Sequence, residues 1–205
     1  MSVIVPYSIL LPVLIGLLKL RVLSASARII WYYLLVAAVV SIAAIVIGMR
    51  MHANNLPLIH VYTAVEFILF SLFYRKILED NSKWLLWLPV LFVLFCIINA
   101  LFFQSIYTYS SYTRSVEALL CLLFSLNYFA KLATDIKGEK ISTLPGFYFN
   151  CGIFLYMAGS FMFIVFSNFI IQSSKHHYAV IMVIYAALVL CMYLLFSVAF
   201  LLCKK

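Results

Sequence analysis

Acidic side chains are nearly missing from this chain: there are six in 205 residues, against 14 lysines and arginines, and charged residues of all kinds make up 10%. A soluble domain needs charge over its surface, and a chain that is 67% hydrophobic has no single core large enough to hide the remainder. A mean hydropathy of +1.16 leads to the same place, a protein dissolved in a bilayer. Alternating polarity is missing too. Barrel strands alternate over segments of about ten residues, so a transmembrane barrel is excluded. Helices remain, because backbone exposed to lipid must satisfy its own hydrogen bonds.

Other absences narrow the function. The five cysteines, Cys96, Cys121, Cys151, Cys191 and Cys203, all fall inside apolar stretches and form no CxxC pair, so neither a disulfide framework nor a redox motif is expected. No basic groove interleaved with aromatics occurs, and no nucleic-acid partner is expected; the net charge of +8 is spread over separate loops, where it attracts anionic lipid headgroups. No GxSxG, HExxH or paired-aspartate motif distinguishes a nucleophile or a base, which speaks against an enzyme. His60, Glu66 and Glu117 are suitable metal ligands by type, but no HxxxH or HxxE spacing sets two on one helix face, and neither a metal nor a cofactor is expected.

What is present is seven continuous apolar stretches, near 4–19, 29–49, 56–78, 84–103, 113–134, 147–171 and 178–203. A span takes about 20 mostly apolar residues. The expected fold is all-α, a polytopic seven-transmembrane-helix bundle forming a single transmembrane domain over 1–205. Asn54, Asn55 and Pro57 read as the cap and first turn of the third helix, and Pro145 with Gly146 as the start of the sixth. The first apolar run lacks a basic leader and a small-residue cleavage site, and its charges, Lys19 and Arg21, come after it, which predicts a retained first helix with its N-terminus outside. That orientation gathers eleven lysines and arginines on the cytoplasmic side and leaves Arg50, Arg114 and Lys175 outside. A cell membrane, of the bacterial inner-membrane kind, is the expected location, with the C-terminus in the cytoplasm. A retinal protein would need a lysine in the last helix, and 178–203 has none. The proline-glutamine pair usual in small sugar facilitators is also absent, as is any repeat between the first and last three helices.

Small residues mark where helices meet. Ala37, Ser41, Ala44 and Gly48 lie at spacings of four, three and four, which predicts close approach of a neighbouring backbone; Gly152, Gly159 and Ser160 repeat the theme in the sixth helix. Pro12 and Pro89 are candidate kinks. Trp31, Tyr32 and Tyr33, and Tyr107, Tyr109 and Tyr112, read as interfacial belts.

Two acids remain inside helices. Glu66 lies about 15 Å below the start of its helix, near mid-bilayer, and Glu117 about 6 Å below the outer surface in the fifth helix. A charge at the bilayer centre costs about 2.5 to 3.5 kcal/mol, so such a group belongs against the bundle interior or water. Tyr62 is four residues from Glu66 and shares its face, while His60 points about 120° away. Arg114 and Glu117 are three apart and are expected to pair directly. Asn99, Asn168 and Tyr185 reach comparable depth on other helices, whereas the inner half offers only Asn127, Tyr128 and Asn150. The predicted ligand-binding set is therefore Glu66, His60, Tyr62, Arg114, Glu117, Asn99, Asn168 and Tyr185, around a cavity open outward and closed below. The plainer reading makes Glu66 a neutral acid joining two helices and Arg114–Glu117 a headgroup-level ion pair.

The function expected from this set is a sensor or receptor-like membrane protein that binds a small ligand or proton and signals to a cytoplasmic partner. A small secondary transporter or proton-coupled permease is the alternative, with Glu66 cycling its proton. A structural or assembly subunit is the third reading.

Overall fold

The computed structural model describes residues 7–79, 84–135, 140–171 and 175–204. Side chains at 164–171 and 175–179, and those of Trp84, Asp135, Met162 and Ile181, lie outside the described set. Among the described residues all regular structure is helical, in seven α-helices: α1 Leu10–Leu18, α2 Ala25–Ile45, α3 Leu56–Ile77, α4 Trp84–Ile98, α5 Ser111–Asp135, α6 Pro145–Ile171 and α7 Lys175–Leu202. Among the described residues five helices are long and apolar enough to cross a membrane, which makes this a multi-pass membrane protein.

Local chemistry sets the helix ends. Ser24 caps α2 by accepting from the Ala27 amide at 3.2 Å. At α3 the work is divided: Asn54 Oδ1 accepts from the Leu56 amide at 2.9 Å, while Asn55 Nδ2 reaches back to the Ala44 carbonyl of α2 at 3.3 Å. Pro12 sits in the first turn of α1, where a missing N–H costs nothing, and Pro89 lies inside α4. Two helices end in single π turns, Val46–Arg50 after α2 and Asn99–Phe103 after α4, the second closed by the Gln104 amide on the Asn99 carbonyl at 2.8 Å.

The helices pack as a ring in the order α1, α2, α3, α5, α6, α7, closed by α7 against α1, with α4 applied to the outside of α3. Helix α3 supplies the centre, burying Phe67, Phe70, Phe73 and Tyr74 completely. These rings meet Tyr33, Phe92, Phe124 and Phe149 at centroid distances of 4.1 to 6.0 Å, forming an aromatic layer across the bundle. One polar tie crosses it: Tyr74 Oη donates to Asn150 Oδ1 at 2.8 Å, and Asn150 Nδ2 donates to the Ser125 carbonyl at 3.3 Å. That tie fixes α3, α5 and α6 together.

Close approach of α6 to α7 depends on glycine. A Cβ at Gly152 would stand 2.8 Å from the Phe196 ring and 3.4 Å from the Met192 carbonyl. The α2 stripe behaves otherwise. Ala37, Ser41 and Ala44 border open space between α2 and the α6–α7 pair, where close backbone packing was expected. Their short side chains leave volume there instead of filling it.

Candidate functional site: a buried ion pair behind a tyrosine-walled cavity

The polar centre is assembled from five helices around Glu66. Glu66 is wholly buried, and its Oε1 accepts from Tyr33 Oη at 3.0 Å and from Tyr62 Oη at 3.2 Å. Its Oε2 accepts from Arg114 Nη2 at 3.2 Å, an ion pair between α3 and α5. The same Nη2 lies 3.4 Å from Tyr156 Oη, which is 2.7 Å from Tyr185 Oη, so the network continues through α6 to α7. A buried charge pair is tolerated only when the remaining lone pairs are also satisfied, and two phenols do this for the carboxylate.

Beside this network is a cavity of about 530 Å³ between α2, α3, α6 and α7. Its polar wall is Arg114 with Tyr33, Tyr62, Tyr109, Tyr156 and Tyr185; Ser41 and Asn55 add polar groups on the side of α2, and the rest is mainly apolar. Arg114 is 6% exposed, its hydrogen bonds all leave from Nη2, and its Nε has no acceptor, so the guanidinium has donors to spare. Tyr109 lies in the connection just before α5; burial pushes its hydroxyl up to about 12, against the pull of nearby Arg114. It therefore stays a neutral donor across the physiological range.

The residues expected to form one site are distributed as follows. Tyr62, Arg114 and Tyr185 line the cavity. Glu66 stands behind the wall, screened by the tyrosines and arginine that bond to it. Glu117 does not pair with Arg114; it is 1% exposed, and its Oε1 has no hydrogen-bond partner. The guanidinium extends to the other helix because that is where two phenols complete the coordination. His60 Nε2 is 2.9 Å from the Thr108 carbonyl and holds the α4–α5 connection to α3, away from the cavity. Asn99 is buried in the π turn after α4, with Nδ2 3.5 Å from Gln104 Oε1. Asn168 falls on α6 where side chains lie outside the described residues. Among the described residues no three potential metal ligands converge.

Three contributors escaped the sequence reading, and one of them, Tyr109, reads as an interfacial belt residue but lines the cavity. Tyr33 reads as an interfacial belt residue but is buried and bonded to Glu66. The signal available was its register: Ile30, Tyr33 and Ala37 fall on one face that continues into the small-residue stripe. Tyr156 sits mid-helix in α6 with no charged neighbour to single it out.

No family model matches the sequence, and no curated protein or solved structure matches it either.

Proposed function

We propose that this chain is a seven-helix membrane protein with its N-terminus outside and its C-terminus in the cytoplasm, and that it is a receptor-like binder of a small, mainly apolar molecule carrying a carboxylate or similar acceptor group. The observation that carries the proposal is the cavity of about 530 Å³ whose polar wall is a nearly buried arginine with unused donors. Ligand pockets typically have this size and composition, apolar with a few convergent polar groups. Arg114 takes the acceptor group, and Tyr109, Tyr156 and Tyr185 orient it. Glu66 holds Arg114 in place and neutralises it while the cavity is empty. The aromatic layer of Phe67, Phe70, Phe124 and Phe149 lies beneath, and the polar groups that cross it, Tyr74 and Asn150, are bonded to each other, which supports the receptor reading over a permease.

The test uses purified protein in nanodiscs and a library of fluorinated aromatic and aliphatic carboxylates screened by ligand-observed NMR. Saturable binders are expected that are lost in Ser41→Leu and Ala44→Leu, which fill the cavity from α2, and weakened about tenfold or more in Arg114→Gln. Absence of any saturable binder, or binding indifferent to all three substitutions, overturns the reading. Counterflow of a confirmed binder into proteoliposomes, abolished by Glu66→Gln, would establish the permease instead.

A further inference from the structure

At the other end of the bundle is a smaller recess of about 330 Å³, lined by the first turns of two long helices: Ser24 and Ser26 of α2, and Pro145 and Gly146 of α6. The first amides of a helix have no acceptor within it, and they carry its positive partial charge. Side chain and chain reversal satisfy some of them, Ala27 on Ser24 Oγ and Phe147 on the Leu144 carbonyl. The amides of Ser26 and Gly146 have no such partner.

Tyr128 gives an independent indication. It comes from α5, lines the recess, is only 5% exposed, and among the described residues its hydroxyl makes no hydrogen bond. The hydroxyl is held against the first turn of α6, 2.6 Å from where a Cβ at Gly146 would stand, so only glycine admits it there. The ring is buried while its hydroxyl opens onto the recess, where it offers a donor that no described protein acceptor has taken. Lys204 lines the same recess, and among the described residues no acidic side chain does. The carbonyl end of α7 would repel an anion, but Lys19 Nζ covers the Cys203 carbonyl at 3.4 Å.

We propose that this recess binds a phosphate group, held by the Ser26 and Gly146 amides, the Tyr128 hydroxyl and the Lys204 ammonium. The phosphate comes either from a phospholipid headgroup of the adjoining leaflet or from the aqueous phase. The inference does not depend on the ligand of the other cavity.

The experiment compares phosphatidic acid with diacylglycerol of the same acyl chains, by native mass spectrometry of the purified full chain. Phosphatidic acid is expected to be retained at least about tenfold better, as suits charge-assisted hydrogen bonds. Tyr128→Phe should cut that preference about fivefold without removing any charge, and Lys204→Gln should cut it comparably. Tyr128→Phe separates a built site from general attraction of acidic lipid to a basic surface. Inorganic phosphate titrated calorimetrically identifies the source: millimolar binding that displaces the lipid assigns a free anion, and lipid retention without phosphate binding assigns the headgroup. Equal retention of the two lipids, or a preference unchanged in Tyr128→Phe, overturns the proposal.

Discussion

The carboxyl groups of Glu66 and Glu117 occupy similar surroundings and are expected to answer mutation with opposite signs. Glu66 accepts three hydrogen bonds, one of them from its ion-pair partner, so Glu66→Gln leaves the Arg114 charge uncompensated in the interior. Breaking one partner of a buried pair costs about 3 to 5 kcal/mol, whereas replacing both with apolar groups of similar size is often neutral. Glu66→Gln should therefore destabilise strongly, and Glu66→Gln combined with Arg114→Met should recover most of the loss, as read by unfolding in mixed micelles. Glu117 is different because its Oε1 bonds to nothing. Glu117→Met removes an unsatisfied buried group and should raise stability by about 1 to 3 kcal/mol. A loss of stability there would mean the carboxyl has a partner. That Glu66 needed burial could be read from its depth in an apolar run, because the cost of a charge there is general. Its partner could not be read. The sequence favours Arg114 with Glu117, three residues apart, and the choice of Glu66 follows from its coordination by Tyr62, legible one turn away, and by Tyr33, which only the fold brings to it.

Helix boundaries were largely legible, because caps and prolines act locally: α3 starts at Leu56 and α6 at Pro145, as Asn54, Pro57 and Pro145 imply. The π turns at Val46–Arg50 and Asn99–Phe103 were not, since a shift from i+4 to i+5 bonding leaves no mark on side-chain periodicity. Small-residue stripes were read as one device and serve two. On α6 glycine permits contact, and the surroundings of each position set its worth. At Gly152 an added methyl meets the Phe196 ring, locked between Tyr33 and Phe149, and the Met192 backbone. At Gly159 it meets the Leu188 methyls at 2.6 and 2.7 Å, the free ends of a half-buried side chain that can change rotamer. Gly152→Ala should cost about 1 to 3 kcal/mol and Gly159→Ala less than about 1 kcal/mol, measured in the same unfolding assay. Equal costs would show that Leu188 is as constrained as Phe196.

At the scale of the whole molecule the charge distribution supports the proposed orientation. Burial of Arg114 in the ion pair removes it from any loop, so the positive-inside comparison becomes eleven cations against Arg50 and Lys175 alone. The bias acts through loop lysines and arginines near the ends of spans, and here they are concentrated at the recess end, with Lys19, Arg21, Arg28, Arg75, Lys76, Lys131 and Lys204. Met51, in the connection after α2, and Glu79, just past α3, are both exposed and lie at opposite ends of α3. In a background with the five native cysteines replaced, Met51→Cys should react with a membrane-impermeant maleimide in intact cells, and Glu79→Cys only after permeabilisation. The reverse pattern would put the tyrosine-walled cavity on the cytoplasmic side and the phosphate recess outside. The expected pattern gives each site the surroundings its chemistry suits: the arginine cavity opens to solutes arriving from outside, and the amide-lined recess meets the leaflet richest in anionic headgroups.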